Sequence, residues 1–274
     1  MIRLAIRVAR ADAEIALAEL LVLAPAGVEE VDHGDTIEYA VYGAEGELPS
    51  LPDVRAAAGT ALVEVTTTLV ADDWATRWRD FHVPVTIGER VHVRPPWCDP
   101  PRGKDRLLDI VIEPGHAFGT GAHPTTRLCL EALLQLEPGG ALVDLGCGTG
   151  VLAIAAARLG WDSVLAVDQR PEALDVTTEN AANNGVVVRV ALCDLYHNGA
   201  APSARTVVAN ILRPVLMQIA KAGFVGEPVG TLVLGGMLAD EAADVAGGFA
   251  IHGLGEVARR ERAGWATSVL TAMS

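Results

Sequence analysis

The feature that most constrains the fold is a glycine-rich segment in the middle of the chain, which reads Asp-Leu-Gly-Cys-Gly-Thr-Gly from Asp144 to Gly150. It overlaps the end of Ala141–Leu145, which we predict as a buried strand, and precedes Val151–Leu159, which we predict as a helix. Glycines at such a junction permit a tight turn, close approach of a ligand to the backbone and close helix–strand packing. The segment therefore predicts an α/β sheet with a ligand at its edge.

Strands and helices alternate around this segment, as in a doubly wound, mostly parallel sheet. The predicted elements are strands 108–112, 141–145, 163–167, 186–192, 206–209 and 230–234, and helices 125–136, 151–159, 171–183 and 215–222. We assign residues 104–274 to this Rossmann-like domain, and the fold class is α/β.

The first residues predict a smaller unit of a different class. Apolar alternation and turn residues predict strands 1–9, 28–31, 36–42 and 61–70, with helices after Asp12 and over 52–58. The order β-α-β-β-α-β is typical of a ferredoxin-like α+β sandwich, in which one sheet face stays open for binding. We therefore predict a small domain over residues 1–66 that recognises the substrate.

We predict that residues 67–103 form a connector between these two domains. Trp74, Trp78 and Phe81 recur at helical spacing on one face, and we favour packing over recognition as their role. A strand pair follows over 83–93. The arm 94–102, which contains four prolines, completes the connector.

Charge and composition exclude several classes of protein. The net charge of −14 disfavours general binding to nucleic acid. No Cys-x-x-Cys pair is present among the four cysteines, so we expect no metal centre and reduced thiols. The most apolar long stretch, 141–161, contains Asp144 and Arg158 and is not typical of a membrane span. The charged N-terminal segment is not typical of a secretory signal. We expect a cytoplasmic monomer without direct nucleic-acid or membrane partners.

The loop and the acids around it indicate the ligand. Its spacing, G-x-G-x-G, is one residue shorter than the dinucleotide pattern, and Asp144 stands just before it. That combination favours S-adenosylmethionine bound at Gly146 and Gly148. Asp168 ends the next strand, about twenty residues after the loop, where a carboxylate binds ribose hydroxyls. Asp194, after a further strand, either binds the adenine amine or is a turn residue. A nicotinamide-dependent dehydrogenase and an ordinary strand-to-helix turn remain the alternatives for the loop.

Two further segments carry a family resemblance. They are Glu113–Thr126, which reads EPGHAFGTGAHPTT, and Val207–Leu212, which reads VVANIL. Together with the glycine loop, they resemble the PrmA-type methyltransferases of ribosomal protein L11, and the resemblance covers nearly the whole chain. It implies S-adenosylmethionine-dependent methylation of lysine or N-terminal amines of L11, which the small domain would grip.

The resemblance also implies roles for individual residues. Thr125, Gly146, Asp168 and Asn210 match cofactor-binding positions, and Phe118 and Thr120 lie in the loop that closes over the cofactor. The chain departs from the family pattern in having Ala122 where Thr or His is frequent, and Arg170 after the ribose-binding acid. Position 122 is therefore not expected to be chemically essential. Arg170 is expected to alter only the edge of the adenosine pocket.

Asn210 is the candidate catalytic residue. It ends a predicted strand at the ligand-binding rim, where its amide oxygen is able to accept a hydrogen bond from a substrate amine. The sequence Asn-Ile-Leu, rather than Asn-Pro-Pro and an aromatic residue, favours an aliphatic amine. His123 is either a general base or structural, with a structural role favoured, and Thr125 or Thr126 is expected to cap the next helix. A methyltransferase with another substrate and a non-catalytic binding module are the remaining alternatives.

Overall fold

The computed structural model describes residues 2–13, 16–17, 20, 23–24, 28–43, 48–69, 83–101, 103, 107–113, 121–197 and 199–273. The chain forms two compact units, Met1–Phe81 and His82–Ser274. Residues 82–103 of the predicted connector thus belong to the larger unit, and the helix predicted around Trp74 lies outside the described residues. Within those ranges, no helix has both the length and the apolar character needed to cross a membrane.

The small unit is a four-stranded antiparallel sheet with helices between its strands. The strands are β1 (Ile2–Ala9), β2 (Glu29–Asp32), β3 (Thr36–Gly43) and β4 (Leu62–Leu69), in the spatial order β2-β3-β1-β4. Helix α1 spans Leu51–Ala58, and the described residues between 13 and 23 are helical. This arrangement confirms the predicted β-α-β-β-α-β order and the ferredoxin-like class.

Local sequence explains these elements. Leu4, Ile6 and Val8 alternate along β1 and are buried in the core of the small unit. Gly34 adopts φ +82° in the turn between β2 and β3, a conformation that suits glycine. The Ser50 side chain accepts a hydrogen bond from the backbone N–H of Asp53, which caps the start of α1.

The larger unit begins with a three-stranded sheet of its own. Its strands are β5 (Val85–Ile87), β6 (Val91–Arg94) and β7 (Leu108–Val111). β5 and β6 form the predicted strand pair, and β7 pairs with β6 in parallel. The prediction that 108–112 belongs to the main sheet is therefore wrong. The physical reason is that the Arg94 guanidinium donates hydrogen bonds of 2.9–3.0 Å to Asp109, which join β6 to β7.

The main sheet contains seven strands flanked by helices. The strands are β8 (Ala141–Leu145), β9 (Ser163–Asp168), β10 (Arg189–Leu192), β12 (Thr206–Asn210), β14 (Thr231–Leu238), β15 (Leu254–Arg262) and β16 (Trp265–Ala272), and β11 (Ala201–Ser203) pairs separately with β13 (Phe224–Gly226). The helices are α2 (Pro124–Leu133), α3 (Val151–Leu159), α4 (Pro171–Asn183), α5 (Arg213–Ala222) and α6 (Ala242–Gly248).

The strand order of this sheet places the ligand crevice. The order is β10-β9-β8-β12-β14-β16-β15, and the first five strands are parallel. From β8 the chain adds strands toward one edge of the sheet, and from β12 it adds them toward the other edge. Open α/β sheets bind ligands at such a switch point, beyond the carboxyl ends of the strands. The doubly wound α/β class is confirmed. The predicted elements did not include the antiparallel strands β15 and β16, which are joined by a tight turn at Ala263 and Gly264, both with positive φ.

Candidate cofactor and active site

The glycine loop turns sharply between β8 and α3. Gly146 adopts φ +76°, and its N–H donates a hydrogen bond of 2.8 Å to the Val167 carbonyl on the neighbouring strand. A Cβ at Gly146 would collide with the side chain of Ile211, and one at Gly150, with φ +80°, would collide with Thr177. Glycine is therefore required at both positions by conformation and by space.

Asp144 fixes the helix that follows the loop. Gly150 is the N-cap residue of α3 and has no side chain, so the Asp144 carboxylate accepts the N–H of Ala153 at 3.0 Å instead. The second carboxylate oxygen, Oδ1, is buried without a partner among the described residues. Burial, with a smaller contribution from the negative charge of Asp168, raises the pKa of Asp144 to about 7.

Asp168 meets the loop from the end of β9. Its carboxylate is 7% exposed and accepts the N–H of Gly148 and the N–H of Arg170, each at 3.0 Å. Each carboxylate oxygen has a second lone pair, so this side chain is still able to accept hydrogen bonds from two hydroxyl groups. The structure therefore brings together the predicted loop glycines and the predicted ribose-binding acid.

Asn210 ends β12 on the other side of the switch point. Its Nδ2 donates a hydrogen bond of 3.3 Å to Thr126 Oγ1, while Oδ1 is buried and has no partner among the described residues. Because buried polar atoms are nearly always hydrogen-bonded, this oxygen is expected to meet a donor from a ligand. The next residue, Ile211, contacts the glycine loop, so Asn210 and Gly146 belong to one site.

Sequence reasoning missed the two glycines that make room for Asn210. At Gly235 a Cβ would collide with Cys129 and press on Asn210 Oδ1, and at Gly236, with φ +82°, it would collide with the backbone of Ile211. The pairing register of β14 shifts at this point. A glycine pair inside an apolar strand is a signal for a bulge or close backbone approach, and it would have identified these positions.

The turn before α2 corrects a prediction. The N-cap of α2 is His123, not Thr125 or Thr126, because the His123 side chain accepts the N–H of Thr125 at 3.3 Å. Both threonines are buried inside the first turn of the helix. Burial lowers the pKa of His123, and its ring lies edge-on to Trp265 with centroids 5.1 Å apart. The capping role favours the structural interpretation of His123.

Asp194, the next predicted site residue, has the hydrogen bonds of a turn residue. Asp194 follows β10 and accepts the N–H groups of Tyr196 and His197, and it pairs with the His197 ring at 2.8 Å. The hydrogen bond from His197 leads the interactions that lower the pKa of Asp194. This geometry is that of a turn residue and leaves the adenine role a prediction. Phe118 and Thr120 lie outside the described residues.

The charges at the site match a cationic ligand. Asp144 and Asp168 lie close enough for repulsion to contribute to the raised pKa of Asp144. A pyrophosphate would add negative charge beside them, whereas the sulfonium of S-adenosylmethionine is positive. The residues therefore fit S-adenosylmethionine better than a nicotinamide dinucleotide. Among the described residues, no group of three or more His, Cys, Asp or Glu is arranged to hold a metal ion.

Comparisons with known proteins show which proteins this chain resembles. The sequence profile of a family described as "Ribosomal protein L11 methyltransferase (PrmA)" matches residues 41–272. A protein named ribosomal protein L11 methyltransferase from Geobacter sulfurreducens is 39% identical over 257 residues, covering 89% of this chain and 83% of that protein. Its namesake from Geobacter metallireducens is 40% identical over 191 residues, covering 69% of this chain and 62% of that protein.

A solved structure shows the same likeness in three dimensions. The crystal structure of the ribosomal protein L11 methylase from Lactobacillus delbrueckii subsp. bulgaricus matches with a TM-score of 0.62 and 25% sequence identity. The match covers 71% of this chain and 100% of that chain.

Proposed function

Because the chain belongs to the ribosomal protein L11 methyltransferase (PrmA) family, we propose that it methylates lysine side chains, the N-terminal amine, or both, of ribosomal protein L11. As a member of that family it uses S-adenosylmethionine. The observation that carries the proposal is the Asn210 amide oxygen, which is buried and unpartnered among the described residues beside the glycine loop.

We propose a set of cofactor contacts, which the positions of the glycine loop, Asp168 and Asn210 support. Asp168 binds the ribose hydroxyls, the backbone of Gly146 and Gly148 borders the cofactor, and Thr125 and Asn210 line its methionine end. Phe118, Thr120 and Asp194 complete the set as contacts inferred from the sequence. When bound, S-adenosylmethionine supplies an electrophilic methyl group on a sulfonium.

Asn210 then has a defined catalytic role. Its Oδ1 accepts a hydrogen bond from the substrate amine and directs the nitrogen lone pair toward the methyl carbon. A lysine has an unperturbed pKa near 10.4, so deprotonating it at pH 7.4 costs about 4 kcal/mol. Burial of the amine at the rim, next to a cation, lowers this cost because it disfavours the ammonium form. Thr126 holds the Asn210 amide in this orientation through the Nδ2 hydrogen bond.

The small unit is proposed to grip L11, and residues 67–81 to connect it to the methyltransferase domain, because residues 82–103 belong to the larger unit. We further propose a cytoplasmic monomer that meets L11 without direct contact to nucleic acid or membrane. The net charge of −14 supports an encounter with a basic protein and opposes contact with phosphate backbones.

Mass spectrometry of purified L11 after incubation with the enzyme and S-adenosylmethionine tests the proposal. Mass increases in steps of one methyl group on L11 are expected, and the same protein with Asn210→Ala should give none in the same time. A chain lacking residues 1–66 should still bind the cofactor but leave L11 unmodified. If wild-type enzyme leaves L11 unmodified but methylates another basic protein, the substrate assignment is wrong while the reaction class stands.

A further inference from the structure

Helix α4 presents buried polar side chains to the back of the glycine loop. Thr177 and Asn180 are both 0% exposed and lie three residues apart, on one face of the helix. Burying a hydroxyl and an amide is unfavourable unless they form hydrogen bonds, so the partners of these groups show what the face is for.

Both side chains donate hydrogen bonds to consecutive carbonyl groups of the glycine loop. Thr177 Oγ1 donates to the Gly148 carbonyl at 3.1 Å, and Asn180 Nδ2 donates to the Thr149 carbonyl at 3.0 Å. Gly150 lies directly against Thr177, leaving no room for a side chain between loop and helix. The helix thus holds two successive peptide groups of the loop.

These hydrogen bonds orient the part of the loop that meets the ribose-binding acid. A trans peptide points its carbonyl and its N–H in opposite directions, so the Gly148 carbonyl held by Thr177 turns the N–H of Thr149 away from the helix. Gly148 is held on both sides, since its carbonyl accepts from Thr177 and its own N–H donates to Asp168 at 3.0 Å. Thr177 therefore acts on Asp168 through a single residue.

Asn180 also connects the loop to the chain that follows β7. Its Oδ1 accepts the N–H of Glu113 at 2.8 Å, and its Nδ2 lies 3.3 Å from the Glu113 carbonyl. Asn184, one turn further along, makes the same paired contact with Val111 at 2.8 and 2.6 Å. One face of α4 thus holds two separate segments of the larger unit in fixed relation.

We infer that Thr177 and Asn180 are positioning residues for S-adenosylmethionine, which hold the glycine loop in its binding conformation from behind. The inference rests on the proposed placement of the cofactor at this loop. Neither side chain is expected to touch the cofactor, because both are fully buried behind the loop backbone.

A pair of variants at position 177 isolates the hydroxyl group. Thr177→Ser and Thr177→Ala both lose the methyl group, and only the second loses the hydrogen bond to Gly148. Thr177→Ala leaves a buried carbonyl without a donor, so its Kd for S-adenosylmethionine in calorimetry should rise about tenfold, whereas that of Thr177→Ser should stay within about twofold of wild type. KM for the cofactor should rise while KM for L11 stays unchanged.

The matched control is Thr178→Ala. Thr178 is exposed, and its hydroxyl bonds only to the Leu174 carbonyl within the same helix. Its Kd for S-adenosylmethionine should equal that of wild type. Equal Kd values for Thr177→Ala and Thr177→Ser, measured on proteins with cooperative melting, would overturn the inference.

A second pair keeps the test decisive if Thr177→Ala does not fold. Asn180→Asp retains an acceptor for the Glu113 N–H but loses the donor to Thr149, and should raise Kd about tenfold. Asn183→Asp adds the same charge at an exposed position of the helix and should leave Kd unchanged. Equal affinities for these two variants would overturn the inference. Absence of cofactor binding by the wild-type protein would instead contradict the proposed site itself.

Discussion

Both units of the molecule bury carboxylates in β-sheets, but the two sheets surround them differently. In the small unit, Glu38 accepts hydrogen bonds from Arg3 at 2.7 Å and Arg7 at 2.8 Å. The hydrogen bond from Arg3 leads the interactions that hold the pKa of Glu38 below its usual range. In the large unit, Asp144 has one oxygen without a partner among the described residues, and burial raises its pKa to about 7.

The difference separates polar groups that stabilise the fold from polar groups that await a ligand. A buried carboxylate held by arginines loses stabilising contacts if any partner is removed. A buried amide or carboxyl oxygen without a partner costs free energy, and a bound ligand recovers it. Asn210 and Asp144 belong to the second kind, and both lie on parallel strands that meet at the switch point. Variants of Asn210 and Glu38 should therefore affect different measurements. Asp144 also accepts a hydrogen bond from the start of a helix, so its variant should affect stability as well.

The largest effect is expected from Asn210→Ala. Removing a preorganised hydrogen-bonding group that acts on the reacting amine should lower kcat for L11 methylation by about 100- to 1000-fold. Tm should change little, because the side chain makes a single hydrogen bond within the described part of the chain, to Thr126 at 3.3 Å. Steady-state kinetics and thermal melting measure both, with exposed Asn183→Ala as the control. If Asn210→Ala has the same kcat as wild type, Asn210 has no catalytic role and its unpartnered oxygen has no explanation.

The next effect is expected from Asp168→Asn. Loss of the charge weakens two hydrogen bonds to hydroxyl groups, so the Kd for S-adenosylmethionine should rise about 100-fold. Asp162→Asn is the matched control, because Asp162 also accepts a backbone N–H, that of Gly140, but at the amino end of β8. Calorimetry compares the two. If both variants bind equally well, the ribose assignment fails.

Asp144→Asn should abolish one pH-dependent contribution to stability. The folded chain keeps the Asp144 proton up to about pH 7, whereas the ordinary value of 3.8 means that unfolded chains lose it near pH 4. The proton therefore favours folding at low pH, and this contribution disappears as the pH rises through 7. The free energy of unfolding of Asp144→Asn minus that of wild type should be about 2–3 kcal/mol larger at pH 8 than at pH 5. Urea titrations of both proteins measure it, and a pH-independent difference would contradict the raised pKa.

The smallest effect is expected from Glu38→Gln, and it should fall on stability alone. Removing the shared carboxylate leaves Arg3 and Arg7 less compensated and should cost about 1–2 kcal/mol of unfolding free energy at pH 7, with cofactor affinity unchanged. Because the pKa of Glu38 is lowered, its contribution is present above about pH 4.5 and is lost as the pH falls below that value. Glu64→Gln, at the exposed end of the same network, should cost less than about 0.5 kcal/mol. If Glu38→Gln changes the affinity for S-adenosylmethionine, the distinction between fold-stabilising and ligand-binding carboxylates is wrong.

Local patterns predicted most of the elements correctly. The helices Val151–Leu159 and Pro171–Asn183 match the predicted bounds, because the glycines beside the first, the proline at the start of the second and the apolar periodicity of both are local signals. Strand Leu108–Val111 was placed in the wrong sheet. β7 pairs with β6 through the backbone, with Arg94 and Asp109, fifteen residues apart, bonded across the pair, and no periodicity within the strand indicates this partner. The antiparallel strands β15 and β16 were also missed, although they form a hairpin whose turn is local in sequence.

The amino-acid sequence by itself determined that a strand, a glycine turn and a helix follow one another, and it predicted a nucleoside-type ligand there with Asp168 beside the loop. These features depend on spacing along the chain and on backbone conformations that only glycine adopts easily. Only the tertiary structure decided that Asn210 donates a hydrogen bond to Thr126 and that Gly235 and Gly236 leave room at the end of its strand. It also decided that α4 holds the glycine loop from behind. Those contacts join residues from different strands and helices. They form only when the tertiary structure brings these elements together.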